Sequence, residues 1–305
     1  MAKKLDISAL ASRLKELDDN SNRGGGSNIG FISIKDGRNV IRVLPPRDDM
    51  DSFAVEVWVH YGVGKTETNK KGTMVVCPKT HGEDKPCPVC DASSELKKLS
   101  KKKDDPYDKQ AKNLYRKKRV YYNAIDRADD LTKYEQREED GKQVWYNTET
   151  NEKDSPVKVL GTGIGVYKDI LKLIIDPEYG DVTDADEGLD LIITKSGSGQ
   201  FNTEYDVKTV RKESAIGFDL WEESLNDLKP LMKARTYDEL VALLNGEDPS
   251  NNQNVDDDVD DAMGGLPDKG SASTDEGTDE STGDADEDAV AAEIRAAMER
   301  RKRNK

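Results

Sequence analysis

All three cysteines of the 305-residue chain fall in one stretch, Cys77–Cys90, which reads CPKTHGEDKPCPVC. Cys87-Pro-Val-Cys90 has the two-residue spacing that lets two thiolates hold one tetrahedral ion, and Cys77 can add a third from the far side of a loop. A site of three cysteines completed by a histidine needs one such residue, and the sequence contains two. His81 lies inside the loop, and His60 closes a strand-like run with sixteen residues between it and Cys77; spacing alone leaves the choice open. A redox Cys-x-x-Cys needs an exposed, low-pKa thiol, usually opening a helix in a thioredoxin-like setting. The surrounding strand and proline-rich loop do not predict that setting. A catalytic zinc keeps one open coordination position and a nearby general base, which four protein ligands would not leave. The pattern therefore predicts a single structural zinc ion, Zn2+.

A second constellation follows directly. Residues 97–119 hold eleven Lys/Arg against three Asp, a local balance of +8, and lead into Tyr121-Tyr122. Cations that follow phosphates, with rings that stack on unpaired bases at ~1–3 kcal/mol each, are the equipment for binding single-stranded nucleic acid. Lys117, Lys118 and Arg119 are the candidate cations. Tyr107, Tyr115, Tyr121 and Tyr122 are candidate rings, and Phe201 and Tyr205 flank a later turn. In a strand Tyr121 and Tyr122 point to opposite faces, so at most one is expected as a surface platform unless a bulge intervenes.

The elements that must position these groups are mostly strands. FISIKDGRNVIRVLPP alternates apolar and polar residues around Asp36-Gly37, a hairpin signal, and Pro45-Pro46 stops its second strand. Phe53–His60, Arg119–Ile125, Leu189–Lys195 and Glu204–Val210 read as further strands, Val166–Ile175 as a short helix, and Leu220–Leu244 as helical with a capping box at Thr236-x-x-Glu239. The expected class is mainly β with added helices: an OB-fold core over residues 28–215 carrying a small zinc-binding subdomain at about 60–92. A helical segment over 216–245 follows. Ahead of the core, Ile7, Leu10, Leu14 and Leu17 give residues 1–22 an amphipathic pattern, tethered by RGGGSN.

Charge separates the ends from the core. The net charge is −15, and residues 256–288 alone hold fourteen Asp/Glu against one Lys. Residues 246–288 are expected as a disordered acidic tail, too polar to bury a core, and 289–305 as a basic amphipathic helix. No run approaches the ~20 apolar residues of a membrane span, and MAKKLDISAL lacks a secretory h-region. Gly161–Gly165 lacks the Gly-Lys-Ser/Thr ending of a phosphate loop. These readings predict a soluble intracellular protein that is not an enzyme and has no membrane partner.

VIRVLPP (40–46), the strand ending His60-Tyr61-Gly62, Cys77-x-x-Thr80-His81-Gly82, Cys87-Pro-Val-Cys90 and a basic run before aromatics occur in that order. Together they resemble the single-stranded DNA-binding, helix-destabilising protein of T-even-type tailed bacteriophages. The similarity covers the layout of residues 5–215 and is most specific at 40–90. The resemblance implies an OB-fold with a structural zinc held by His60, Cys77, Cys87 and Cys90, His81 being a bystander. It implies that Lys117, Lys118, Arg119, Tyr121, Tyr122, Phe201 and Tyr205 contact DNA. It also implies an N-terminal arm for self-association along the strand, and an acidic tail that meets replication and recombination proteins in the cytoplasm of an infected bacterial host. The alternative is a zinc-stabilised scaffold that recruits such proteins through its tail, nucleic-acid binding being incidental.

Overall fold

In the computed structural model, residues 29–66, 69–139, 141–197 and 202–247 are described. The expected arm at 1–22, Phe201 and residues 248–305, which hold nearly all of the expected tail and its basic helix, lie outside them. The described chain is mainly β-sheet with a few helices. Its strands are β1 (Phe31–Ile32), β2 (Gly37–Val43), β3 (Ala54–Val63), β4 (Thr73–Val76), β5 (Lys117–Asp126), β6 (Tyr134–Glu139), β7 (Lys142–Asn147), β8 (Lys158–Gly163), β9 (Leu189–Ser196) and β10 (Glu204–Glu213). The helices are α1 (Pro88–Leu99), α2 (Pro106–Leu114), α3 (Ile164–Ile175) and α4 (Tyr237–Leu244).

Eight strands form one sheet in the order β1-β8-β5-β2-β9-β10, with β3 and β4 branching from β5, and β6 and β7 form a separate hairpin. Strand β5 is the branch point. Its first six residues pair with β3 and its last three with β2 along one edge, while β8 runs along the other. Its edges are thus paired, and its faces are covered by packing on both sides, so it can carry a nearly continuous buried run. RVYYNAI meets that demand, and Arg119 to Ile125 are all buried. One face packs Val120, Tyr122 and Ala124 with Ile41, Leu160, Leu191, Ile193 and the inner side of α3, where Val166, Tyr167 and Ile170 recur at helical spacing. The other packs Tyr121 with Val55, Val57, Val59 and Leu228.

Two expectations are corrected. Asp36-Gly37 does not join a hairpin: β1 pairs in parallel with β8, and β2 pairs with β5 and β9. The bend is instead closed by Asn39, whose side chain accepts from the Lys35 N–H at 2.9 Å and donates to the Lys35 carbonyl at 2.8 Å. Leu220–Leu244 is helical only in its last third. The earlier part makes two short 3-10 turns, at Glu222–Ser224 and Lys229–Met232; Leu220 has a left-handed φ of 59°, and Pro230 cannot donate to a continuing helix. The Thr236–Glu239 capping box opens α4 as read.

Candidate metal centre and nucleic-acid interface

The antiparallel pairing of β3 with β4 sets His60 across from Val75, so the chain leaving β4 delivers Cys77 beside the same strand. The Cys77 N–H donates to the Trp58 carbonyl at 2.7 Å, and the Trp58 N–H to Thr80 Oγ1 at 2.9 Å, which stitches the loop to β3. Cys87 caps α1 and Cys90 lies in its first turn, the Cys90 N–H donating to Cys87 Sγ at 3.5 Å. The helix start, absent from the sequence reading, favours thiolates electrostatically. Cys87 is buried and Cys90 half-buried, and Cys77 and His60 crowd both, which sets them apart from an exposed redox dithiol.

The four ligand atoms lie within 4.8 Å of one another. His60 Nε2 is 3.4 Å from Cys87 Sγ and 3.6 Å from Cys90 Sγ, and Cys77 Sγ is 3.6 Å from Cys90 Sγ. A tetrahedral ion with ~2.3 Å bonds to sulfur and ~2.0 Å to nitrogen sets its ligands about 3.5–3.8 Å apart, so these edges suit such an ion. The cysteines are free thiols rather than disulfides. His60 Nδ1–H donates to the Leu114 carbonyl at 2.7 Å, which turns Nε2 toward the sulfurs. His81 is exposed and its Nε2 bonds the Met232 carbonyl at 2.7 Å instead.

The charges of the cluster fit a cation as well. Hydrogen bonds with Cys87 and Cys90 hold the Cys77 thiol far below its ordinary range, whereas bonds with Cys77 and Cys87 push Cys90 far above it. Burial pulls the His60 pKa down, but hydrogen bonds with Cys77 and Cys87 outweigh it and raise it to about 9. One thiolate suppresses the next, and a central cation removes that conflict. The donor set can hold a metal ion. Around it, Val63, Val75, Val89, Leu96, Ala111 and Leu114 form a small apolar core joined by Leu240 and Leu243 from α4. Gly64 permits that closeness: its φ is +68°, and a Cβ there would sit 2.5 Å from the Leu243 carbonyl oxygen.

Beside this lobe, β3 and the start of β5 run together, Trp58 opposite Lys118 and Val59 opposite Lys117. The Arg116 guanidinium lies 4.5 Å from the Trp58 ring centre and Lys118 Nζ 5.4 Å, while Lys117 Nζ lies 5.8 Å from the Tyr61 ring. All three spacings are within the reach of cation–π attraction. The loop between α1 and α2 adds more cations. Asp105 Oδ2 accepts the Lys101 and Lys102 N–H groups at 2.8 and 3.3 Å, and Asp108 accepts from the Asp104 N–H at 2.8 Å and from Lys97 and Lys112. The bond from Lys97, then those from Asp104 and Lys112, hold the Asp108 carboxyl well below the usual range. With both aspartates turned to the loop backbone, Lys101, Lys102, Lys103 and Lys109 stand exposed.

Strand β5 divides the predicted contact residues. Lys117 and Lys118 are half-buried at its surface end, and Tyr115, just before it, is 62% exposed. Tyr107 is half-buried against the metal-lobe core. Arg119, Tyr121, Tyr122 and Tyr205 are buried, so none presents an open ring or cation in this conformation. The Tyr122 ring stacks on Phe53 at 5.9 Å and its hydroxyl bonds Thr162. Burial raises the Tyr205 pKa to about 12 against the pull of Arg119. The +8 balance also shrinks in space, because Lys98, Arg116 and Lys118 face carboxylates from outside the run, Glu95, Glu83 and Glu56. Sequence reasoning missed Trp58, Tyr61 and Arg116. Their signal lay in pairing a half-exposed strand with the basic run.

The family model described as gp32 DNA binding protein like matches residues 35–245, more than half of the chain. The match spans the metal cluster and β2 to β10. No curated protein matches the chain.

Proposed function

The chain belongs to the gp32-like family of DNA-binding proteins, and from that premise we propose that it coats single-stranded DNA with little regard to sequence, without catalysing a reaction. The observation that carries the reading is the basic, aromatic edge of β3 and β5 set against a lobe organised by four metal ligands. Lysines there would follow phosphates and release counterions, and half-exposed rings would stack on bases. Because only unpaired strands are bound, duplex melting would shift by mass action, with no nucleotide hydrolysis. The three sulfurs and one nitrogen offered by His60, Cys77, Cys87 and Cys90 suit one structural zinc ion. On this reading the zinc supplies shape and no chemistry, pinning the loop to β3.

The finer reading is of a phage protein acting in replication, recombination and repair in the host cytoplasm. Its 28–215 core would be an OB-fold, its 1–22 arm would self-associate along DNA, and its tail would meet replication and recombination partners. The resemblance of residues 40–90 supports it. The alternative is a scaffold for which DNA binding is incidental. Titrating the full chain with oligo-dT, duplex and RNA oligonucleotides separates the two. Salt-sensitive, saturable quenching of its tyrosines and tryptophans with a fixed nucleotide footprint is expected on oligo-dT. Binding to none of the three at low salt overturns the coating reading in favour of the scaffold.

A further inference from the structure

Trp58 is a large ring that the β3–β5 ladder places among cations at a partly open surface. Arg116 lies over it at 4.5 Å and Lys118 approaches at 5.4 Å. Each of these cations is held by a carboxylate: Arg116 by Glu83 at 2.9 Å, and Lys118 by Glu56. Both acids are exposed at the rim, while Arg116 is only 18% exposed and its Nη1 is buried without a hydrogen-bond partner. The backbone beneath is fixed, since the Trp58 N–H and carbonyl are tied to Thr80 and Cys77 of the metal loop.

From this arrangement we propose that Trp58, Arg116 and Lys118 form a subsite for one unpaired nucleotide, in which Glu83 and Glu56 hold the place of phosphate until DNA arrives. The inference rests on the coating reading above and says which groups meet the strand. The base stacks against Trp58, and the phosphates on either side take over the guanidinium and ammonium. The released carboxylates turn to solvent, which their exposure allows. Glu83 leaves the guanidinium incompletely satisfied, since Nη1 is buried without a hydrogen-bond partner, and an exchange that uncovers Nη1 gives a phosphate oxygen a second donor. The exchange has a signature. The counterions released are those condensed on the phosphates, but freeing a carboxylate takes salt ions back up, so in the native chain these two contacts add less to the salt dependence of binding. With the carboxylates gone, each contact releases a counterion, and the slope of log K against log salt steepens by up to ~0.7 per contact.

The test uses the full chain with oligo-dT over a range of salt. Glu83→Gln and Glu56→Gln are each expected to bind about two- to fivefold more tightly at low salt, the scale of one exposed ion pair, and to show the steeper slope. Trp58→Ala is expected to lose about tenfold or more in affinity. Because that change could loosen the metal loop, metal content and melting temperature are measured alongside. Trp58→Phe, which keeps a ring, should retain most of the affinity while removing a distinct share of the tryptophan quenching. Trp145, which meets Phe218 edge-on and whose Nε1 donates to Ser224, and Trp221, in the same cluster as Phe218, lie elsewhere and supply the remainder. Unchanged affinity and slope in both glutamine variants, or quenching in Trp58→Phe equal to that of the native chain, overturns the subsite. Failure of the native chain to bind oligo-dT at all would instead overturn the coating reading.

Discussion

The metal lobe and the sheet core are held together by different physics. The sheet buries sixteen mostly aliphatic and aromatic side chains around β2, β5, β8, β9 and α3, and its stability grows with apolar area. The lobe buries eleven, two of them cysteines, gathered from β3, β4, α1, α2 and α4. Its segments are short and joined by loops, so on the proposed reading four ligand bonds would do there what area does elsewhere. One region is stabilised everywhere at once, the other at a point.

Breaking that point should therefore have the largest effect. Cys87→Ser, or a strong chelator, should abolish metal binding and expose the loops between about residues 64 and 116 to protease while β2, β5 and β9 stay protected. The scale of structural metal binding is ~10–16 kcal/mol. Metal analysis with limited proteolysis checks it, and simultaneous loss of both regions would show that they are one cooperative unit. His60→Ala should lower metal content and melting temperature nearly as much, whereas His81→Ala, which removes one exposed contact to Met232, should move neither much. On the other side of the comparison, Ile170→Ala in the sheet core should cost about 2–5 kcal/mol with metal content unchanged, as read by denaturant unfolding.

Smaller effects sharpen the contrast. Asp108→Asn should lower the melting temperature of the lobe at neutral pH by loosening the Lys97 and Lys112 pairings. A carboxyl whose folded pKa is depressed contributes stability above its unfolded pKa of ~3.9 and loses it as pH falls through the folded value. The gap between the two proteins should thus persist down to about pH 4 and close below it; a gap that closes near pH 6 would assign the effect to another group. Smallest for stability is Tyr115→Ala, within ~0.5 kcal/mol as for an ordinary surface site. Its ring is open, so weaker oligo-dT binding at unchanged melting temperature is the expected result.

The two regions also differed in how openly the sequence announced them. The three cysteines and the alternating strands are local signals, legible because ligand spacing and side-chain period are properties of neighbours along the chain. Strand β5 was found, but the fate of its aromatics was not. Whether Tyr121 and Tyr122 lie open or buried depends on β3, β2 and β8 flanking the strand and on α3 and Leu228 covering its faces. None of these is adjacent in sequence. The same holds for α1 and α2, where the lysines masked a helical spacing whose buried side, Val89, Ala92, Leu96, Ala111 and Leu114, faces the lobe. The Asp36-Gly37 bend misled for the opposite reason: a strong local turn signal was overruled by a parallel partner more than a hundred residues away.

Helix α4 bears on the timing of synthesis. Leu240 completes the apolar wall of a lobe whose last cysteine, Cys90, lies 150 positions earlier in the chain. At about 5–20 residues per second, a ribosome needs on the order of 10–30 s to cover that distance. During that interval the emerged cysteines can meet an ion, but their lobe lacks one side. In the nascent chain metal capture would thus precede packing, and anything that competes for thiolates would have its best opportunity then.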